Sequence, residues 1–186
     1  MCTVEGVGMG PFGETNRNER VYPVEVATEA ILQSPYVKEM MKNKTLLGEP
    51  HHPKDRNEIW FDQVALSIVD MWMSEDNKYL MIKADILDTE KGRILKTLID
   101  YGSTIGISAR ASGKTRKKNG KLEVMPEEYH FKTFDAVTNP GFAEARLTPV
   151  SEGVNEEFSV RGVVEKLTES SDLATLKSVK QIIEQW

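Results

Sequence analysis

Among the residues of this chain, one serine, the three histidines and a nearby carboxylate have the types needed for nucleophilic chemistry. Ser108 stands in Ile105-Gly106-Ile107-Ser108-Ala109-Arg110. The histidines are His51, His52 and His130, and Asp135 follows in Phe134-Asp135-Ala136-Val137. A serine hydroxyl is a poor nucleophile until a base takes its proton, and imidazole, with an ordinary pKa of ~6.5, is mostly neutral and available near pH 7. An acid must then orient the ring and stabilise the imidazolium. Long stretches of chain separate these residues, as expected when a triad is assembled from different elements. Spacing alone does not select them, because any chain of this length contains such residues.

The elements that must position them are legible from periodicity. Residues 105–110 alternate Ile105, Ile107 and Ala109 against Gly106, Ser108 and Arg110, the pattern of a half-buried strand that holds a hydroxyl beside a guanidinium. Residues 129–137 read as a return strand, with Phe134 and Ala136 on one face and Thr133, Asp135 and Val137 on the other. His51 and His52 lie between Pro50 and Pro53, which predicts a loop or strand end with little conformational freedom. Residues 64–72 and 79–87 predict a core hairpin. Asp88 or Thr89 is the expected cap of a helix whose stripe is Ile94, Leu95, Leu98 and Ile99, ended by Gly102. Upstream, a strand is expected near Val4 or Val7. Val24, Ala27, Ala30 and Ile31 predict a helix, and Ser34-Pro35 predicts the cap and first residue of another. Asn119-Gly120 marks a hairpin turn inside a basic run.

Composition limits the function classes. The chain has 186 residues, a hydrophobic content of 39%, a charged content of 28% and a net charge of -5. These values suit a soluble globular protein and argue against nucleic-acid binding. The single cysteine, Cys2, excludes an internal disulfide framework. No apolar run approaches the ~18–20 residues that span a bilayer, so no membrane partner and an intracellular site of action are expected. Residues 1–150 read as the principal domain. Residues 151–186 read as a linker followed by a helix in which Leu173, Leu176, Val179, Ile183 and Trp186 repeat at three-four spacing, a narrow seam suited to packing on another helix.

Four stretches, taken in order, carry a resemblance: Asn16-Arg17-Asn18-Glu19-Arg20-Val21-Tyr22-Pro23, Leu47-Gly48-Glu49-Pro50-His51-His52-Pro53, Ile105-Gly106-Ile107-Ser108-Ala109-Arg110, and Phe134-Asp135-Ala136-Val137-Thr138-Asn139-Pro140. Their order and spacing resemble those of tailed-phage prohead proteases, the capsid-maturation serine proteases related in fold to herpesvirus assemblins. The resemblance implies an α+β fold, a mainly antiparallel β-barrel surrounded by helices. It implies Ser108 as nucleophile, His52 as general base and Asp135 as the acid. His130 competes for the third place, because assemblin-like enzymes use a second histidine there. Arg110 is implied as an oxyanion or supporting residue, or as a plain ion-pair partner. Where the family commonly has glycine after the arginine, Ala111 and Ser112 precede Gly113 here.

The same resemblance implies cleavage of scaffold, core and major capsid precursors inside the assembling procapsid in the host cytoplasm, without a cofactor; a homo-oligomer is expected. It also implies a zymogen that cleaves itself, with residues 151–186 as propeptide or oligomerisation element. Cutting after glutamate preceded two positions earlier by a hydrophobic residue would select Glu144, Glu165 and Glu184, the last two more readily because Phe142 should be packed. Two other classes stand beside this one: a catalytically silent scaffold or capsid-assembly protein, and a metal-dependent hydrolase using His51, His52 and a distant carboxylate. The basic run at residues 114–118 reads as a solvated hairpin tip or as an electrostatic contact for acidic scaffold proteins.

Overall fold

Two apolar runs joined by a polar turn form the centre of the fold, as their alternation predicts. The computed structural model describes residues 2–53 and 56–150. In chain order the elements are β1 (Cys2–Met9), β2 (Arg20–Val21), a π-helical segment (Val26–Leu32), α1 (Pro35–Lys42), β3 (Leu47–Gly48), β4 (Leu66–Met73), β5 (Leu80–Ile86), α2 (Glu90–Asp100), β6 (Ile105–Ser112), β7 (Thr115–Lys118), β8 (Lys121–Val124), β9 (His130–Val137) and β10 (Arg146–Pro149).

Seven strands form one sheet in the order β3-β4-β5-β1-β10-β6-β9, with every neighbouring pair antiparallel. The two edges then meet. Ala136 N–H donates to Glu49 O at 3.0 Å and His51 N–H donates to Ala136 O at 2.6 Å, which closes the sheet into a barrel. Closure requires close backbone approach, and Gly48 permits it: a Cβ there would lie 2.1 Å from Phe134 O. The interior is filled by Val4, Leu66, Ile68, Leu80, Ile82, Ala84, Ile107 and Phe134, each no more than 1% exposed. The fold is therefore the antiparallel α+β barrel expected, with its helical segments outside.

Several local expectations hold for their stated reasons. Ser34 Oγ accepts from Val37 N–H at 3.4 Å with Pro35 in the first turn, and Thr89 Oγ1 accepts from Gly92 N–H at 3.0 Å, so Thr89 and not Asp88 is the cap of α2. Others differ. The helix at Val26–Leu32 is π-wound. The α2 stripe is only half used: Leu95 is buried, whereas Ile94 and Leu98 are 53% and 43% exposed. The helix docks edge-on through Gly92, whose Cα sits so near Leu87 O and Ala65 O that a side chain would collide with both. The basic hairpin turns at Asn119-Gly120, both at positive φ, but its return strand is β8 and not β9. With β2 in parallel register it makes a separate three-stranded sheet. Strand β10, seated between β1 and β6, has too short an apolar signal to be read from the sequence. The C-terminal seam and the Glu165 and Glu184 sites lie outside the described residues.

Candidate active site

Antiparallel pairing of β6 with β9 sets the register of the site. Ile107 opposes Ala136 and Ala109 opposes Phe134 on the core side, so Ser108, which opposes Asp135, shares with it the other face of the sheet. Ser108 is partly exposed, while Asp135 is completely buried. A carboxylate without access to water must be compensated by hydrogen bonds. Asp135 has them on both oxygens. Oδ1 accepts from Glu49 N–H at 2.9 Å and Arg110 Nη2 at 2.7 Å; Oδ2 accepts from Arg110 Nε at 2.7 Å and meets His52 Nδ1 at 2.7 Å.

The histidine loop is placed by the strand closure. His51, at φ 65°, hands its N–H to Ala136 O and turns its side chain to solvent. The next residue, His52, is thereby brought against Asp135. A carboxylate accepts and does not donate, so the proton of the 2.7 Å contact sits on Nδ1, and Nε2 is left as the acceptor face of the ring. The His52 side chain is 37% exposed.

His52 and Ser108 line the same cleft, of about 310 Å³. Its other walls include Asn16 and Asn18 from the turn before β2, Arg20 at the start of β2, residues 111–115 from the end of β6 to the start of β7, and Tyr22, Tyr129 and Phe142. The turn is built by Asn16 Oδ1, which accepts from the N–H groups of Asn18 and Arg20 at 3.0 and 3.1 Å. It is pinned by edge-on stacking of Tyr22 on Phe142 and Tyr129, with centroids 5.2 and 6.2 Å apart. Burial pushes the Tyr129 phenol well above its usual pKa, so this hydroxyl stays neutral. No direct hydrogen bond joins His52 to Ser108 among the described residues. Such contacts are often long before substrate binds.

Arg110 faces the carboxylates. Its guanidinium, 6% exposed, donates to Asp135, to Glu49 Oε2 at 2.8 Å and to Glu58 O at 3.3 Å, so its donors are engaged away from the cleft. Burial alone would lower the Arg110 pKa; the bonds to Asp135 and Glu49 outweigh it and raise it. His130 begins β9 opposite Ser112, five residues from Asp135 and about 17 Å along the strand by ordinary strand rise. The structure does not bring it to His52. The described residues contain no group of three or more His, Cys, Asp or Glu side chains placed to hold a metal. Within the basic run, Arg116 and Lys118 are already paired with Glu123, and Lys114 with Glu128.

Glu49 is the residue that sequence reasoning passed over. It is 1% exposed, and its carboxylate accepts from Arg110, from both terminal nitrogens of Arg56 at 2.9 and 3.0 Å, and from Trp60 N–H at 2.8 Å. Burial raises its pKa, but these donors together overcome that and hold it below the usual carboxylate range. A glutamate between Gly48 and Pro50, where the chain cannot be a solvated helix face, was the available signal.

A family model described as prohead core protein serine protease matches residues 2–156. The solved structure of the bacteriophage T4 capsid assembly protease, gp21, superposes with a TM-score of 0.64 at 27% identity, covering 73% of this chain and 80% of that one. No curated protein matches the chain.

Proposed function

Because this chain belongs to the prohead core protein serine protease family and is a bacteriophage capsid-maturation protease, we propose that Ser108, His52 and Asp135 are its catalytic triad. The observation that carries this reading is the buried Asp135 carboxylate bonded to His52 Nδ1 at 2.7 Å, with His52 and Ser108 lining one cleft. In this reading Ser108 Oγ attacks the scissile carbonyl as His52 Nε2 takes its proton, and the same nitrogen returns that proton to the leaving amine. Asp135 keeps the ring in the required tautomer and stabilises the imidazolium. A bound peptide that excludes water from the cleft would draw the exposed imidazole towards the hydroxyl. Arg110 supports Asp135 and does not contact the substrate.

The substrates are scaffold, core and major capsid precursors, cut inside the assembling procapsid by a homo-oligomer. Residues 151–186 are a linker and propeptide trimmed by self-cleavage, which releases residues 166–186 when it falls after Glu165 and 185–186 when it falls after Glu184. Glu144 is the poorer site, since Phe142 two residues before it is buried in the aromatic cluster that pins the cleft. A fluorophosphonate probe tests the nucleophile directly. Peptide mapping should place the adduct on Ser108, with labelling lost in His52→Ala at neutral pH. An adduct on another serine would refute the assignment.

A further inference from the structure

The ion pair of buried Glu49 with partly buried Arg56 has no part in the proton transfers described above, yet it is bonded to the groups that make them. Glu49 joins the histidine loop to the acid twice. Its backbone N–H donates to Asp135 Oδ1, and its carboxylate takes Arg110 Nη2, the same nitrogen that donates to Asp135 Oδ1 at 2.7 Å. Arg56 then forks onto both Glu49 oxygens, and its guanidinium stacks on Trp60 at 4.2 Å. Glu58 O accepts from both arginines. Two cations, Arg110 buried and Arg56 partly buried, thus alternate with two buried carboxylates in one chain of bonds that ends on His52.

A lone Arg110 on Asp135 would cancel the charge that the imidazolium must feel. Glu49 draws off part of that cation, and Arg56 limits how much. We propose that Glu49 and Arg56 are positioning residues that act through Arg110: they fix the orientation of Asp135 and set the charge its carboxylate presents to His52. This rests on the triad reading. Of the other ionisable groups around the ring among the described residues, His51 adjoins it in the chain, and Arg20, Lys114 and Tyr129 line the same cleft; Lys114 pairs with Glu128. None of them bonds to Asp135.

The test is the titration of His52 itself, followed by NMR of ring-labelled histidine in the full chain carrying Ser108→Ala, with the resonance assigned by its loss in His52→Gln. Glu49→Gln removes a negative charge and leaves Arg110 to Asp135, so the His52 pKa should fall by about half to one unit. Arg56→Gln removes a positive charge and should raise it by a similar amount. Arg56→Lys keeps the charge while losing the fork and should stay close to the parent. Circular dichroism checks that each variant is folded. A merely structural role predicts that both charge-removing variants shift in the same direction. That result, or no movement in either, overturns the proposal. Because the readout needs no turnover, its failure is distinct from failure of the triad, which would show as peptide cleavage surviving Ser108→Ala.

Discussion

Replacing Arg110 by methionine separates a buried electrostatic clamp from simple packing. Methionine fills much of the same volume but removes the cation that donates to Asp135 twice and to Glu49 once. Both carboxylates are no more than 1% exposed. Breaking a buried ion pair from one side costs about 3–5 kcal/mol, because a charge is left without compensation. The lower end applies here, since Glu49 keeps Arg56 and the Trp60 N–H, and Asp135 keeps the Glu49 N–H. About 3 kcal/mol is a large share of the ~5–15 kcal/mol that holds an ordinary domain folded. With a urea slope of ~2 kcal/mol per molar, the unfolding midpoint should drop by about 1.5 M at pH 7.

The pH dependence fixes the sign. In the parent, the Glu49 pKa is held below its ordinary value of 4.5. Its contribution is therefore present above that value and lost as pH falls through the lowered one. In Arg110→Met, two buried carboxylates lack the cation that lay between them, so one acquires a raised pKa and the folded state takes up a proton. The variant then gains on the parent as pH falls, and the gap should narrow below about pH 6. Urea titrations of the full chain in a Ser108→Ala background, at pH 7 and pH 5, measure both. A midpoint change under about 0.5 M, or a gap that widens at pH 5, would refute the reasoning.

Gly48→Ala should lower the thermal midpoint by about 5–10 °C, because its Cβ would lie 2.1 Å from Phe134 O and 2.8 Å from Leu66 Cδ1 at the barrel seam; calorimetry checks it. Asp135→Asn should cut peptide turnover by about 10⁴-fold by permitting the wrong tautomer of His52. His130→Ala, altered at the far end of β9, should leave turnover unchanged, and a comparable loss in it would return His130 to the triad.

Much of the site was legible because its residues stand in short stretches with strict local constraints. Strand alternation places Ser108 and Asp135, and two prolines fix the histidine loop. The pairing of Ser108 with Asp135 was not, since register depends on which strands become neighbours. The return strand of the basic hairpin proved to be β8, and β9 reached β6 only after a further excursion. Glu49 and Arg56 were hidden for a related reason: a charged residue reads as solvated until a partner from elsewhere is seen to bury it. The α2 stripe erred in the opposite direction. Helical period marks Ile94 and Leu98 as inward, but the close approach at Gly92 tilts the contact to the edge bearing Leu95.

Cleavage of a co-expressed scaffold precursor, followed by intact mass for both chains, bears most directly on the central claim. The parent chain should produce discrete products ending in glutamate. Ser108→Ala, folded by circular dichroism, should produce none. Equal cutting by the two would remove Ser108 as nucleophile and contradict the account.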